Sequence, residues 1–207
     1  HKDVAEFSKR ALKYSVKHLE GNYGYKSVYD SYGCEIERVF CDKSGKECCL
    51  YEGFSRIKLE KTVNDDLLSI SYFKSEMPVI NNESVHKIVF SYASNGTGYS
   101  CKYLDCNGNP TKCKDGSYGN HVDIDFDEKL FTFYYLDSIY EKSPNSENIL
   151  YQKNWFDSRY NIVKSQSFDI HHKLVSGFDM DINNHGLMLG SREYDSSIIS
   201  NNKMFEM

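Results

Sequence analysis

The sequence predicts an all-β protein, a tandem array of about six degenerate β-hairpin repeats with a period of about 32 positions, preceded by an N-terminal amphipathic helix. Three observations support this prediction: a recurring aromatic–acidic tripeptide, a second recurring aromatic–acidic pair that precedes it, and alternation of apolar and polar side chains. We expect residues 1–20 to form a capping or linker helix and residues 21–207 to form the repeat domain, as a twisted sheet or a solenoid.

The first recurring feature is an aromatic residue followed within two positions by Asp. Its six copies begin at positions 40, 72, 103, 135, 167 and 193: Phe40-Cys41-Asp42, Tyr72-Phe73-Lys74, Tyr103-Leu104-Asp105, Tyr135-Leu136-Asp137, Ser167-Phe168-Asp169 and Glu193-Tyr194-Asp195. All six copies carry an aromatic residue in the first two positions, and five carry Asp in the third. Because aromatic residues make up 14% of the chain, this regularity indicates a repeat.

A second aromatic–acidic pair, or its remnant, lies roughly a third of a repeat before each tripeptide, at Tyr29-Asp30, Lys61-Thr62, Tyr92-Ala93, Phe126-Asp127, Phe156-Asp157 and Ile182-Asn183. Glycine follows several of the pairs and tripeptides, at Gly33, Gly45, Gly96, Gly108 and Gly186. The spacing Asp-x-x-Gly is typical of turns, because Asp accepts a backbone N–H two residues on and glycine supplies a positive φ. Each repeat is therefore predicted to be strand, turn, strand, turn.

The remaining elements follow from side-chain periodicity. Residues 3–20 have a helical spacing of apolar residues and a capping box at Asp3 and Glu6, which predicts a helix that either covers the open edge of the array or links it to a preceding domain. From Gly21 onward the pattern alternates, as in the stretch from His121 to Asp127. Alternation is typical of half-buried strands.

Composition and charge exclude several functions. The net charge is −5 and there is no Lys/Arg cluster interleaved with aromatic residues, so we expect no nucleic-acid binding. Apolar runs are too short for membrane insertion. The chain opens at His1 without a signal peptide, and any targeting segment is expected to have been removed or never to have existed. The expected partner is a protein or a carbohydrate.

Two acidic stretches are candidate cation sites. Asp179, Asp181 and Asn183 resemble the opening of an EF-hand loop, although the later positions depart from that pattern; the alternative is a hairpin loop. Asp123, Asp125 and Asp127 lie on one predicted strand face, for which the alternative is a solvated surface. We predict no cofactor, with calcium at Asp179, Asp181 and Asn183 as the alternative.

The sequence carries no complete catalytic motif. There is no glycine-framed nucleophile and no phosphate-binding glycine loop, so we predict a non-catalytic protein. The alternative is a hydrolase that uses Asp123, Asp125, Asp179, Asp181 and His185. Seven cysteines fall in the first and third repeats. An odd number cannot all pair within the chain, and their spacing leaves both free thiols and cross-linked strands open.

The motifs Tyr29-Asp30-x-x-Gly33, Tyr92-Ala93-x-x-Gly96 and Tyr103-Leu104-Asp105-Cys106-Asn107-Gly108-Asn109-Pro110 resemble bacterial tandem repeats of the type YDxxGN and YFDxxGxP. These are loosely similar to the YD repeats of Rhs proteins and to MORN-type hairpins. The resemblance covers roughly residues 21–200. It implies an all-β array of hairpins, usually extracytoplasmic, with a scaffolding or binding role, and hence a secreted or cell-surface location. It transfers no functional residue.

We expect a module for binding or scaffolding, with a glycan or a protein as partner at the cell envelope. The candidate ligand-binding residues are the aromatic residues of the tripeptides, which would form a stacking platform on an exposed face: Tyr72, Tyr103, Tyr135, Phe168 and Tyr194. The alternative is that these rings form the buried stripe that joins one repeat to the next. A structural spacer in a larger secreted protein is the alternative function.

Overall fold

The computed structural model describes residues 24–183 and 188–195, and these residues form strands and turns with no helix. All strand pairings found among them are antiparallel. The predicted all-β class is confirmed, whereas the N-terminal helix predicted for residues 1–20 lies outside the described residues.

The strands are β1 (Gly24–Tyr29), β2 (Glu35–Cys41), β3 (Arg56–Lys61), β4 (Leu67–Lys74), β5 (Met77–Pro78), β6 (Lys87–Tyr92), β7 (Gly98–Leu104), β8 (Gly119–Asp125), β9 (Leu130–Leu136), β10 (Tyr151–Phe156), β11 (Ile162–Phe168), β12 (Leu174–Ile182) and β13 (Met188–Asp195).

The chain divides into two compact units. The first contains the described residues up to Gly96 together with Ser100–Lys114, and its strands follow the order β1-β2-β3-β4-β6-β7, with the short β5 paired to β4. The second contains Thr97–Tyr99 and the described residues from Asp115 onward, and its strands follow the order β8-β9-β10-β11-β12-β13. Within each unit, neighbouring strands of the sheet are therefore neighbours along the chain, as in a series of hairpins.

The two predicted turns recur along the chain in the same geometry. In the turn that begins at Asp30, the N–H of Asp30 donates to the carbonyl of Cys34, and the Asp30 carboxylate accepts the N–H groups of Tyr32 and Cys34. The same bonds form where the first residue is Asp42, Thr62, Asp105, Asp137, Asp157 or Asp169. Positions 30 and 62 are one repeat apart, as are positions 105, 137 and 169 in succession. The strand–turn–strand–turn prediction is confirmed at these positions.

The repeats also contain a third turn that the sequence pattern did not predict. It has the same backbone bonds, with Leu50 donating to Phe54, Asn81 to Val85 and Asn145 to Ile149. These turns follow one another along the chain and bond together within each unit: Asn82 N donates to Glu52 O, and Ser146 N donates to Asp115 O. The third turns therefore form a second layer over one face of the strands.

The core of the first unit lies under this layer. Leu50 and Phe54, both from a third turn, pack with strand residues that point to the same face: Phe40, Ile57, Leu59, Leu67 and Ile70. In the second unit the most deeply buried side chains include Val122, Ile124, Phe131 and Tyr135 from strands and Ile149 from a third turn. One face of the strands is thus buried by the chain's own turns, without a helix among the described residues.

Several turns place a residue other than glycine in the left-handed region. Tyr140 and His172, which stand where other repeats have glycine, adopt φ values of 65° and 59°, and Lys129 has a φ of 50°. A side chain in this region costs about 1–2 kcal/mol, because Cβ approaches the following carbonyl oxygen. The repeats that lack glycine therefore keep the turn at the cost of backbone strain.

Replacing Lys129 with Gly is expected to raise the free energy of unfolding by about 0.5–1 kcal/mol, because relief of strain exceeds the entropy gained by the unfolded chain. Lys129 is exposed, so the substitution leaves the core intact. Urea unfolding followed by circular dichroism measures the change. The matched control is Glu128→Gly at the adjacent exposed residue, which has no positive φ and should lose stability. A loss at both positions would contradict the strain argument.

Candidate functional site

Two of the predicted ligand-binding rings lie toward the covered face. Tyr135 is only 7% exposed, and Tyr72 packs against the core cluster of the first unit. Burial raises the pKa of each phenol to about 12. Their hydroxyls hydrogen-bond the side chains of Asn81 and Asn145, the first residues of two third turns. These contacts are those of the buried stripe, because each ring is hydrogen-bonded to the turn that covers it.

Of the other three predicted rings, Tyr103 occupies the same backbone position as Tyr72 and Tyr135, whereas Phe168 and Tyr194 lie on the opposite face. Tyr103 is half-buried, and its carbonyl accepts the N–H of Thr111. The residue that follows Tyr135 by one repeat is Ser167, so Phe168 stands on the opposite face, since successive strand residues alternate. Tyr194 accepts a hydrogen bond from Gln166 (3.2 Å) and its ring lies against Gly177. The five residues therefore occupy two faces.

Phe168 belongs to an aromatic row on the open face of the second unit. His121, Tyr134, Tyr151 and Phe168 stand directly opposite one another on β8, β9, β10 and β11. Tyr151 and Phe168 stack with centroids 4.9 Å apart, and Lys142 Nζ lies 3.4 Å from the centroid of Tyr134. Because the ring faces contact one another and this ammonium group, the row acts as a cross-strand ladder that stabilises the sheet.

A polar cavity of about 500 Å³ lies among β10, β11, β12 and β13 of the second unit. The residues around it alternate along their strands and meet across them: Gln152 is opposite Ser167, Ser167 opposite Ser176, and Ser176 opposite Asp195. The next row pairs Ser165 with Phe178 and Phe178 with Glu193. We call this the polar cavity, lined by Gln152, Ser165, Ser167, Ser176, Gly177, Phe178, Glu193, Tyr194 and Asp195.

The repeat explains why the cavity exists. Ser165 and Ser167 occupy the positions of Phe133 and Tyr135 one repeat later, so two hydroxymethyl groups stand where the preceding repeat has two aromatic rings. A third turn does not cover this face either. The position one repeat after Asn145, where a third turn would begin, is Gly177, which lies within β12. The same face that is filled and covered in the preceding repeat is therefore open and polar here.

The chemistry of the polar cavity is that of a hydrogen-bonding site. Ser165 and Ser167 are 8% and 5% exposed, and Ser167 Oγ accepts a hydrogen bond from Gln152 Nε2 (3.3 Å). Glu193 and Asp195 add carboxylates, and Phe178 adds one aromatic ring. Hydroxyl, amide and carboxylate groups beside a ring can bind a ligand that has both hydroxyl groups and apolar C–H faces.

The predicted calcium residues lie mainly on a strand. Asp179 and Asp181 belong to β12, where they stand opposite Arg192 and Gly190 of β13. The expected turn is therefore displaced, because β12 continues to Ile182 and the connection falls within residues 183–187, of which only Asn183 is described. Side chains two residues apart on a strand are about 7 Å apart, so Asp179 and Asp181 are poorly placed to share one ion.

The second acidic stretch is partly strand and partly turn. Val122 and Ile124 are buried while Asp123 and Asp125 are exposed, as the alternation predicts. Asp123 lies 2.9 Å from His121 Nε2, and Asp125 accepts the N–H groups of Asp127 and Glu128. Within the described part of the chain, no three His, Cys, Asp or Glu side chains are grouped as metal ligands. His185, from the hydrolase alternative, lies outside the described residues.

All seven cysteines lie in the first unit, and none of them is joined in a disulfide in the structure. Cys41 and Cys101 are buried, whereas Cys49 and Cys106 are exposed. Burial raises the pKa of the Cys48 thiol above its usual value. A raised pKa lowers the thiolate fraction, so Cys48 is a poor nucleophile near neutral pH.

The outer face of the first unit carries an ion network centred on Arg56. Its guanidinium contacts Glu47 (2.7 Å), Glu37 (3.3 Å) and Glu76. The hydrogen bond from Arg56 holds the pKa of Glu47 below its usual value of 4.5, and a hydrogen bond from Ser69 does the same for Glu60. In the folded protein these carboxylates stay charged at pH values at which the same groups begin to take up protons in the unfolded chain.

We therefore expect the free energy of unfolding to fall as the pH decreases below about 4.5. A lowered folded-state pKa stabilises the fold above the unfolded-state pKa, and this contribution is lost as the pH falls through the folded-state value. Urea unfolding at about pH 7 and about pH 3.5 measures the difference. The Glu47→Gln variant should show a smaller difference than the wild type, and an identical pH dependence would contradict the role of this ion pair.

The geometry defines the class of this protein: an all-β chain of antiparallel hairpins with covered and open faces. No protein-family model matches the sequence, and no curated protein matches it. Among solved structures, the chain is similar to the crystal structure of a protein of unknown function from Bacteroides fragilis, with 6% identity and a TM-score of 0.20, over 88% of this chain and 97% of that one. The described part of the chain also lacks any apolar helix of membrane-spanning length.

Proposed function

We propose that this chain is a non-catalytic binding module and that the polar cavity of the second unit holds part of a glycan. The observation that supports this most directly is the pair Ser165 and Ser167, which replaces two aromatic rings of the preceding repeat beside an open space of about 500 Å³ that both polar and apolar groups line. Ligand pockets in proteins commonly have volumes of about 300–1,000 Å³.

The lining of the polar cavity supports a sugar over other ligands. Carboxylates such as Glu193 and Asp195 accept hydrogen bonds from neighbouring hydroxyl groups, while Gln152 both donates and accepts. Phe178 offers an apolar surface to the C–H face of a ring. An anionic ligand such as a phosphate is disfavoured, because the lining contains two acidic residues and no basic one among those described.

The sequence supports a location for this binding module outside the cytoplasm. A tandem array of hairpin repeats, as a twisted sheet or a solenoid, presents similar surfaces at regular intervals, and the resemblance to bacterial YD-type repeats implies a location outside the cytoplasm. A module of this kind would bind a polysaccharide of the cell envelope or hold a partner domain near it.

The test is a binding screen with one variant designed from the repeat itself. Ser167→Tyr restores the residue of the preceding repeat and should fill the polar cavity. The purified chain is measured by calorimetry against a panel of envelope and plant oligosaccharides. We expect the wild type to bind at least one of them and Ser167→Tyr to lose affinity by about tenfold or more, since the ring occupies the sugar's place.

Two further variants keep this test decisive. Lys153→Ala changes the opposite face of β10 and should leave the affinity unchanged, because neighbouring strand residues alternate between faces. Gln152→Ala removes a hydrogen-bonding group without adding volume, and should weaken binding even if Ser167→Tyr disturbs the fold. A folded wild type that binds no oligosaccharide would reject the glycan proposal and favour a protein partner or a spacer.

A further inference from the structure

The polar cavity of the second unit is acidic on one side and neutral on the other. Strand pairing places its side chains in two rows across β11, β12 and β13: Ser165, Phe178 and Glu193 in one, and Ser167, Ser176 and Asp195 in the other. Both carboxylates therefore come from β13, whereas the hydroxyl groups come from β11 and β12. Among the described residues, the lining includes no Lys, Arg or His, so the side formed by β13 carries negative charge alone.

Glu193 has a carboxylate that is accessible and unpaired. On the strands of the first unit, Glu37 is paired with Arg56 (3.3 Å) and Glu60 with Lys87 (3.0 Å). Glu193 is exposed, and its side chain forms neither an ion pair nor a hydrogen bond with the residues that the structure describes. A positively charged group bound in the polar cavity would supply the partner that the other strand carboxylates find within the chain.

The hydroxyl group of Ser165 is a second group in the polar cavity without a partner. Ser165 is only 8% exposed, and it lines the cavity beside Ser167. Ser167 accepts a hydrogen bond from Gln152 (3.3 Å), whereas the Ser165 hydroxyl forms none within the described part of the chain. A polar group withdrawn from water without a partner costs free energy. Because a serine hydroxyl both donates and accepts, a ligand hydroxyl group suits it well.

Phe178 lies between these two unpaired groups. Its neighbours across the sheet are Ser165 on β11 and Glu193 on β13, and directly opposite residues have Cβ atoms about 4.5–5.5 Å apart. A pyranose ring that packs its C–H face on Phe178 therefore has Ser165 near one edge and Glu193 near the other. An ammonium group at the second edge binds more strongly than a hydroxyl group, because both hydrogen-bonding partners then carry charge.

Other cations fit this arrangement less well. Calcium requires about six to eight oxygen ligands, and the carboxylates of Glu193 and Asp195, two residues apart on one strand, are about 7 Å apart. The ammonium group of a peptide lysine would pair with Glu193, but its alkyl chain brings no hydroxyl group to Ser165. A sugar that carries an amino group meets both requirements.

We propose that the polar cavity selects an amino sugar with a free, protonated amino group over a neutral sugar. Glu193 binds the ammonium group, Phe178 packs on the C–H face of the ring, and Ser165 hydrogen-bonds a sugar hydroxyl group. Asp195 adds a second negative charge on the same face of β13. This inference rests on the proposed glycan-binding function and specifies the charge of the sugar.

The test compares two trisaccharides that differ only in acetylation. The amino groups of chitotriose are free, whereas those of triacetylchitotriose are acetylated and neutral. Each is titrated into the whole chain by calorimetry at about pH 6, where such amino groups are protonated, and in about 0.15 M salt, which screens distant charges. We expect chitotriose to bind at least about fivefold more tightly than triacetylchitotriose.

A matched pair of variants locates the charge. Glu193→Gln should reduce the preference for chitotriose to about twofold or less, and the fold should persist because Glu193 is exposed. Glu141→Gln removes the same charge from another exposed residue of the second unit, one that does not line the polar cavity, and should keep the preference of the wild type. An equal reduction in both variants would mean that net charge attracts the trisaccharide, and would overturn the proposal.

Different results would reject the amino-sugar inference and the proposed function. Equal or tighter binding of triacetylchitotriose would overturn the inference and leave glycan binding standing. If trilysine binds as tightly as chitotriose, amino groups alone are recognised and the inference is wrong. If neither trisaccharide binds while a neutral oligosaccharide does, only the inference is rejected, and if no oligosaccharide binds, both are rejected.

Discussion

Replacing Phe40 with Ala is expected to lower the free energy of unfolding by about 3–5 kcal/mol. Phe40 is 1% exposed and lies at the centre of the core cluster of the first unit, where its ring packs edge-to-face on Phe54. Removing it deletes buried apolar surface and leaves a space that the backbone hydrogen bonds of β2 and the neighbouring turn prevent from closing. Urea unfolding followed by circular dichroism measures the loss.

The control for this prediction is another aromatic residue of the same unit. Tyr51 is 93% exposed, so Tyr51→Ala should change the free energy of unfolding by no more than about 0.5 kcal/mol. Phe40→Leu, which keeps most of the volume, should lie between the two. A loss below about 1 kcal/mol for Phe40→Ala would mean that the third turn relaxes into the space and that the core is loosely packed.

Replacing Gly116 with Ala is expected to lower the free energy of unfolding by about 2–4 kcal/mol, the second large effect. Gly116 has a φ of 93°, and a Cβ there would stand 2.7 Å from the backbone N of Ser146. That nitrogen donates to the Asp115 carbonyl (2.7 Å), the bond that joins two third turns. The substitution therefore combines left-handed strain with displacement of a backbone segment.

The Gly108→Ala variant separates the cost of left-handed strain from the cost of displacing a backbone segment. Its φ is 82°, close to that of Gly116, but a Cβ at Gly108 would meet no atom within 4 Å. Gly108→Ala should therefore cost only the strain, about 1–2 kcal/mol. The difference between the two variants, measured by urea unfolding, gives the cost of separating the third turns. Equal losses would show that contact between these turns contributes nothing to stability.

The turns were predictable because their chemistry is local. Asp30 and Asp105 each accept backbone N–H groups two and four residues on, and Gly33 and Gly108 take the positive φ that closes the turn. All of this lies within one short stretch of consecutive residues, so the sequence indicates it directly. The regular recurrence along the chain follows from repeating that local unit.

The third turn was not predicted because its first residue varies. It begins with Leu50 in one repeat and with Asn81 and Asn145 in others, and no aromatic residue precedes it consistently. The signal that would have revealed it is the acidic residue at its third position, which recurs once per repeat as Glu52, Glu83, Asp115 and Glu147. The Asn81 and Asn145 side-chain oxygens each accept backbone N–H groups two and four residues on, as Asp does in the predicted turns, whereas the turn at Leu50 forms with an apolar first residue.

The sequence alone determined the all-β class and the turns that begin at residues such as Asp30 and Asp105, because each depends on neighbours along the chain. Only the tertiary structure decided which face of the strands is buried. Alternation of side chains defines two faces of a strand but does not say which one is buried. The third turns bury the face that carries Tyr72 and Tyr135. The polar cavity likewise depends on pairings between residues of different strands, such as Ser165 opposite Phe178, and strand register is set by packing of the buried face.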